Sequence, residues 1–207
     1  MTIPKLASYA LPEANELPKN RVNWPLAPTR GALLIHDMQD YFMDFWGDQS
    51  PLAQQLIGNI QRLRSYCKMQ GMPVFYTAQP PHQPAAERGL LNDMWGPGVT
   101  AAQDRKSIVA ELAPDAKDEV LTKWRYSAFA RSPLEQRMQD LGRDELIICG
   151  VYAHIGCQAT ATEAFMRDIK PFFVADALAD FSRERHLGAL SSVANHSGRV
   201  LALEEIL

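Results

Sequence analysis

The 207-residue sequence lacks any long apolar segment, since no run approaches the ~20 residues that a membrane-spanning helix requires. A secretion signal is also absent, because the first twenty residues carry prolines and acids where such a signal is continuously apolar. Apolar residues make up 46% of the chain and charged residues 22%, which is typical of globular proteins. We therefore predict a soluble protein with one continuous core.

Cysteine is scarce, with Cys67, Cys149 and Cys157 placed far apart. This spacing gives neither a disulfide framework nor a paired metal site, so we predict a reducing, cytoplasmic location. The five histidines have no mutual ligand spacing, and we expect no metal.

Basic residues are not clustered, and the net charge is -3. This balance argues against nucleic acid or an anionic membrane as a partner. A small molecule is the predicted partner.

Apolar patterning divides the chain into a Pro-rich extended arm, residues 1–30, and a single domain, residues 31–207, in which strands alternate with helices. The predicted strands are 31–37, 72–79, 118–126, 144–151, 170–178 and 199–207, and the predicted helices are 51–71, 132–143, 156–168 and 182–198. Such alternation predicts an α/β fold, a three-layer α-β-α sandwich around a mostly parallel sheet.

The helix at 132–143 has clear terminal signals. Ser132 is predicted as its N-cap, Pro133 as its first residue and Glu135 as the second half of a capping box, with Gly142 as the stop.

Ligands of parallel α/β sheets bind beyond the carboxyl ends of the strands. The residues at those ends are Asp37, Gln79, Lys123 and Tyr152, beside a helix predicted to begin near Gly156. An acid, a base and a helix N-terminus therefore converge.

A helix N-terminus also stabilises a thiolate, which makes Cys157 a candidate nucleophile in the stretch CGVYAHIGCQATATEAF. Whether Cys157 can act as a nucleophile depends on the direction in which its position in the helix points the side chain.

The motifs LLIHDMQDYF, YTAQP, LLNDMWGPG, LTKWRYSAF, GVYAHIGC and VADALADFS resemble those of the isochorismatase-like hydrolases, and among them the true isochorismatases rather than the cysteine amidohydrolases. The amidohydrolases use an Asp, Lys and Cys triad in which a G-x-x-x-x-x-C-x-x-x-T-A pattern carries the nucleophile. Aligned from Gly150, this pattern puts Gly156 at the nucleophile position. Because one helical step rotates a side chain by ~100°, Cys157 would point elsewhere. The resemblance thus predicts no cysteine nucleophile.

Without a nucleophile, the resemblance implies acid-catalysed hydrolysis of the vinyl ether of isochorismate, giving pyruvate and 2,3-dihydro-2,3-dihydroxybenzoate. Asp37 would protonate the methylene carbon, assisted by Lys123, with no cofactor and no metal. The resemblance also suggests a cis peptide near Val151 and Tyr152. Taken alone, Asp37 could equally be a turn former, and Lys123 and Arg88 solvated surface charges.

The substrate of this reaction carries two carboxylates and one ring. The residues matching the family's binding motifs are Gln79, Arg88, Lys123, Tyr152 and the backbone N–H of Gly156, with Phe42, Trp95 and Tyr126 as walls.

Two alternatives stay open. The substrate could be 2-amino-2-desoxyisochorismate, as in phenazine synthesis, or the chain could be a non-catalytic docking partner. Siderophore synthesis is the first choice. No carrier domain is expected in this chain, so an aryl carrier protein would be separate, and we expect a homodimer or larger homo-oligomer.

Overall fold

The structure is a computed structural model that describes residues 5–47, 49–101 and 107–207, with the side chains of 100 and 101 left aside. The first four residues of the predicted arm, and residues 48 and 102–106 of the predicted domain, lie outside the described residues.

One sheet of parallel strands forms the centre of the molecule, in the order β3-β2-β1-β4-β5-β6. The strands are β1 (Gly31–His36), β2 (Val74–Ala78), β3 (Glu119–Thr122), β4 (Glu145–Val151), β5 (Lys170–Ala179) and β6 (Arg199–Leu201). The chain builds outward from β1 to β3 and then returns to place β4 on the other side of β1. The ligand site of such a sheet lies at this reversal, beyond the ends of β1 and β4.

Helices cover both faces of the sheet. They are α1 (Asp40–Met43), α2 (Pro51–Met69), α3 (Ala85–Arg88), α4 (Leu91–Trp95), α5 (Leu134–Asp140), α6 (Gln158–Met166) and α7 (Arg183–His196). Successive side chains of β1 point to opposite faces of the sheet. Leu33 and Ile35 lie in the same hydrophobic cluster as α2 on one face. Leu34 lies in the cluster with α5, α6 and α7 on the other face. The predicted three-layer α/β sandwich is confirmed.

Two helices begin as their sequences predict. The Ser50 hydroxyl accepts a hydrogen bond from the Ala53 N–H at 3.3 Å before Pro51 opens α2. The Ser182 hydroxyl likewise accepts from the Arg185 N–H at 3.3 Å before α7.

The capping box predicted for the helix at 132–143 is wrong. The α-helix begins at Leu134, and Pro133 occupies the N-cap position without a side-chain cap. The Glu135 carboxylate forms an ion pair with Arg167, at the C-terminal end of α6, instead of accepting the backbone N–H of the predicted N-cap. The predicted stop is confirmed, because Gly142 has a φ of +63°.

Two boundaries near the site also differ from prediction. The third strand ends at Thr122, so Lys123 lies just beyond it, although its N–H still donates to Ala78 O at 2.9 Å. The helix predicted from Gly156 begins earlier, with a π-helical turn, Ala153–Cys157, that precedes α6. Gly156 is therefore inside the first turn rather than at the helix start.

The segment before β1 lies along this body. Leu6 and Leu11 are buried, and the Asn20 side chain exchanges two hydrogen bonds with the backbone of Val200, of 2.7 and 2.8 Å. Among the described helices, none has the length and apolar character needed to cross a bilayer.

Candidate active site

A cavity opens at the carboxyl ends of β1, β2 and β4. Its walls include every residue predicted for the site: Asp37, Phe42, Gln79, Arg88, Trp95, Lys123, Tyr126, Tyr152 and Gly156. The structure therefore brings together residues that are more than a hundred positions apart in sequence.

Asp37 enters the cavity because β1 ends there. Its φ is +50°, a left-handed conformation that aspartate tolerates better than most residues. The Thr77 hydroxyl, on β2, accepts the Asp37 N–H at 3.0 Å and donates to Asp37 Oδ1 at 2.6 Å. Lys123 Nζ donates to the other oxygen, Oδ2, at 3.0 Å. Both carboxylate oxygens are thus held in place by neighbouring strands.

The electrostatic surroundings keep Asp37 ionised in the empty site. Burial raises the pKa of Asp37, but the charge of Lys123 and the hydrogen bonds from Thr77 and Lys123 together outweigh it. The pKa of the carboxyl therefore lies below its ordinary value.

His36, directly before Asp37, is fully buried at the cavity floor. Its Nδ1 lies 2.7 Å from the Val151 carbonyl oxygen, and because a carbonyl only accepts, Nδ1 carries the proton. Burial and the nearby Lys123 charge lower the pKa of His36 to about 4, so the imidazole is neutral. Its Nε2 has no hydrogen-bond partner among the described residues.

The position of a cysteine nucleophile has no room for a side chain. A Cβ placed on Gly156 would lie 2.3 Å from Cε1 of His36 and 3.1 Å from the Tyr126 carbonyl oxygen. The next residue, Cys157, is buried in the core, and burial raises the pKa of its thiol well above the usual value. The prediction that Cys157 is no nucleophile agrees with both observations.

A buried guanidinium forms another wall of the cavity. Arg88 is 3% exposed, and its guanidinium donates to the Gly96 carbonyl at 2.6 Å and to the amide oxygens of Gln79 and Gln83, both at 3.2 Å. No carboxylate pairs with it in the described part of the chain. Burial lowers the pKa of Arg88, and the nearby Arg125 lowers it further. A desolvated cation with only neutral partners is suited to bind an anion.

Aromatic rings enclose the opposite side. The Tyr152 ring packs against Phe181 and Phe42 at centroid distances of 4.7 and 6.0 Å, and the Trp95 indole N–H donates to the Tyr126 hydroxyl at 2.8 Å. The Tyr152 hydroxyl donates to the Phe42 carbonyl at 2.8 Å, so Tyr152 presents its ring to the cavity.

The peptide bond between Val151 and Tyr152 is cis, as predicted. The turn that follows is fixed by Asp180, which accepts the His154 N–H at 2.6 Å and faces His154 Nδ1 at 2.5 Å. His154 therefore has a structural role in this turn.

Several residues at the cavity escaped the sequence argument. They are His36, Tyr41, Thr77, Leu91, Gly98, Arg125 and Phe181. Thr77 and His36 could have been found from the sequence, because both lie next to predicted strand-end residues, Gln79 and Asp37. Arg125 had a weaker one, two residues after Lys123.

No cluster of three His, Cys, Asp or Glu side chains suited to a metal ion occurs within the described ranges. The chemistry of the site is therefore derived from its side chains.

The sheet is parallel, a carboxylate–lysine pair is buried at its edge, and a glycine stands at the position that the resemblance assigns to the nucleophile. These features define a class, the α/β hydrolases of the cysteine-hydrolase fold that have no cysteine at the nucleophile position. Comparison with known proteins agrees. Residues 31–205 match the family description "Isochorismatase domain". The chain belongs to the isochorismatase family.

Its relatives include enterobactin synthase component B of Escherichia coli, 61% identical over all of this chain and 73% of that protein. A phenazine biosynthesis protein of Pseudomonas aeruginosa is 46% identical over 99% of this chain and 98% of its own length. A cysteine hydrolase from Pseudomonas syringae shares the fold, with a TM-score of 0.81 at 22% identity over 91% of this chain and 95% of that one.

Proposed function

We propose that this chain is an isochorismatase, which hydrolyses the vinyl ether of isochorismate to 2,3-dihydro-2,3-dihydroxybenzoate and pyruvate. The observation that carries the proposal is the buried Asp37–Lys123 pair, which lines the same cavity as Gly156. Position 156 has no room for a nucleophilic side chain. The family and the 61% identity to enterobactin synthase component B support it.

Asp37 acts as the general acid. It transfers its proton to the methylene carbon of the enolpyruvyl group, which leaves an oxocarbenium ion at the ether-bearing carbon. Water adds to that carbon and returns a proton to Asp37. The resulting hemiketal breaks its bond to the ring oxygen, which takes up the hydroxyl proton, and pyruvate and the ring diol are released.

The charge of the cavity fits a dicarboxylate. In the part of the chain that the structure describes, its charged walls consist of one carboxylate, Asp37, and three cations, Arg88, Lys123 and Arg125. Arg88 is positioned for one substrate carboxylate because it is buried without an acidic partner in the described chain. Lys123 serves the other carboxylate and Asp37.

Substrate binding also supplies the protonation that catalysis needs. Among the protein's own groups the pKa of Asp37 lies below its usual value. Two bound carboxylates offset the cations and exclude water, and both effects raise the pKa of Asp37 in the complex. The acid form is thus favoured when the substrate is present.

2-Amino-2-desoxyisochorismate is the second candidate substrate, because the 46% identical relative is a phenazine biosynthesis protein. Isochorismate comes first, because among the described residues of the cavity walls Asp37 is the only carboxylate, and none of the others there is an acid that would receive an ammonium group. Comparing kcat/KM for the two compounds decides between them.

The relative named as a synthase component leads us to propose a cytoplasmic role in a siderophore assembly, with a separate aryl carrier protein as partner. We also propose a homodimer or larger homo-oligomer, since Met94 and Met166 expose 55% and 74% of their surface along the same groove as Tyr126. Light scattering at micromolar concentration measures the mass, and a monomer contradicts this assignment.

Release of pyruvate, followed with lactate dehydrogenase, tests the enzymatic function. Turnover of isochorismate that depends on Asp37 is expected. A folded protein that releases no pyruvate from either substrate contradicts the proposal and favours the non-catalytic docking role.

A further inference from the structure

The imidazole of His36 occupies the space next to Gly156. A Cβ on Gly156 would meet two atoms of this ring, Cε1 at 2.3 Å and Nε2 at 2.8 Å. Real Cβ atoms do not approach other heavy atoms so closely, because interiors are packed at contact distance. Any side chain at position 156 therefore requires that the ring move.

The ring has nowhere to go. His36 is completely buried, and its Nδ1 is tied to the Val151 carbonyl at 2.7 Å. Its backbone lies against Gly150, where a Cβ would fall 2.2 Å from the His36 carbonyl oxygen. β1 and β4 thus hold the imidazole from two sides.

Backbone conformation does not explain the glycine. The positive-φ glycines include Gly150 at +107° but not Gly156. Gly156 lies in a π-helical turn, a right-handed conformation open to other residues. Lack of space is the remaining physical reason for glycine here.

We propose that His36 is a specificity-determining residue that acts together with Gly156. Its imidazole fills the volume that a nucleophilic side chain at position 156 would need, and so restricts the site to hydrolysis by water without a covalent enzyme intermediate. The statement about the reaction rests on the proposed function, whereas the exclusion of a side chain does not.

A smaller residue at position 36 removes the two shortest contacts and leaves only the Tyr126 carbonyl oxygen, at 3.1 Å, close to the added Cβ. His36→Val leaves the volume of the outer ring atoms empty between β1 and the turn, which is enough for a thiol on residue 156. Such a thiol would lie beside the cavity that contains Lys123, and a nearby cation favours the thiolate. The two positions are therefore predicted to be coupled.

The experiment compares Gly156→Cys in the wild-type and His36→Val backgrounds. Gly188→Cys is the matched control, because Gly188 is an exposed helical glycine with nothing within 4 Å of an added Cβ. Thermal denaturation gives Tm for each protein. Alkylation by iodoacetamide, resolved by peptide mass spectrometry, gives the reactivity of each introduced thiol.

Gly156→Cys is expected to lower Tm by about 5 °C or more in the wild-type background, because overpacking a core is destabilising. In the His36→Val background, Gly156→Cys is expected to lower Tm by less than half as much. The thiol at position 156 should then be alkylated at least ~10-fold faster than in the single variant. Gly188→Cys should leave Tm unchanged.

The proposal is overturned if Gly156→Cys alone is as stable as the wild type, or if His36→Val changes neither its Tm cost nor the thiol reactivity. Should Gly156→Cys not fold, Gly156→Ala with and without His36→Val gives the same comparison with the smallest side chain. None of these measurements uses isochorismate, so they fail or succeed independently of the proposed function.

Discussion

Lys123 Nζ lies 3.0 Å from Asp37 Oδ2, and the two side chains are 3% and 8% exposed. Two charges removed from water in this way are a weak source of stability, because desolvation offsets most of their attraction. A pair of apolar residues could fill the same volume at no loss. Their presence at the end of β1 and β3 is therefore explained by chemistry rather than by folding.

Asp37→Asn is expected to lower kcat by ~10²–10⁴-fold, the usual contribution of general acid catalysis. The carboxamide keeps the shape, and its one oxygen can accept from Lys123 while its NH2 group donates to the Thr77 hydroxyl, so KM should change little. Coupled pyruvate formation measures the rate, with Tm as the check on folding. More than about a tenth of the wild-type rate would show that Asp37 is not the acid.

The wild-type kcat/KM is expected to fall as pH rises from 5 to 9. The pKa of Asp37 in the free enzyme is lowered, so the protonated fraction falls about tenfold per pH unit above that pKa. Steady-state kinetics across this range provide the test. A rate that rises with pH would point to a general base instead.

Lys123→Ala is expected to raise KM and to move the falling limb of the pH profile toward higher pH. Without Lys123, burial of Asp37 is opposed by less positive charge, and the pKa of the carboxyl rises. A pH profile identical to the wild type would mean that Lys123 does not influence the acid.

Gly98→Ala is expected to raise KM about tenfold or more, because an added Cβ would lie 2.6 Å from Nη1 of Arg88 and displace the guanidinium. Gly71→Ala is the matched control. Gly71 has the same φ of +70° but nothing within 4 Å, so it shares the backbone penalty without the contact. Equal KM values for the two variants would contradict the proposed role of Arg88 in substrate binding.

Cys157→Ala is expected to keep kcat/KM within about threefold of the wild type while costing on the order of 1 kcal/mol of stability, since only one buried atom is lost. Activity before and after alkylation measures the first quantity and urea denaturation the second. Loss of activity by ~100-fold with the fold intact would reassign the nucleophile.

Stability is expected to decline as pH falls from 6.5 to about 4. Burial lowers the pKa of both His36 and His186 to about 4, so in this range the unfolded chain binds protons that the folded chain does not. At about 1.4 kcal/mol per pH unit, each histidine accounts for on the order of 3 kcal/mol. Urea unfolding at several pH values measures the slope, and His186→Phe should reduce it. An unchanged slope in that variant would contradict the assignment.

The order of strands and helices followed from apolar patterning, because buried parallel strands and amphipathic helices have different periods. Prediction failed where local and tertiary partners compete. Glu135 has the spacing of a capping box, yet it pairs with Arg167 of a different helix. The helix start at Gly156 was misplaced for a similar reason, since the turn Ala153–Cys157 is fixed by Asp180 after another strand.

The sequence by itself determined the α/β class and the residues that gather at the carboxyl ends of the strands, because parallel topology brings those ends to one edge. Its resemblance to the family's motifs also predicted that Gly156, rather than a cysteine, stands at the nucleophile position. Only the tertiary structure decided why that position is glycine, since the His36 ring that fills it arrives from β1, far away in sequence. Exclusion by packing depends on distances between strands, and a linear pattern of residue types does not contain them.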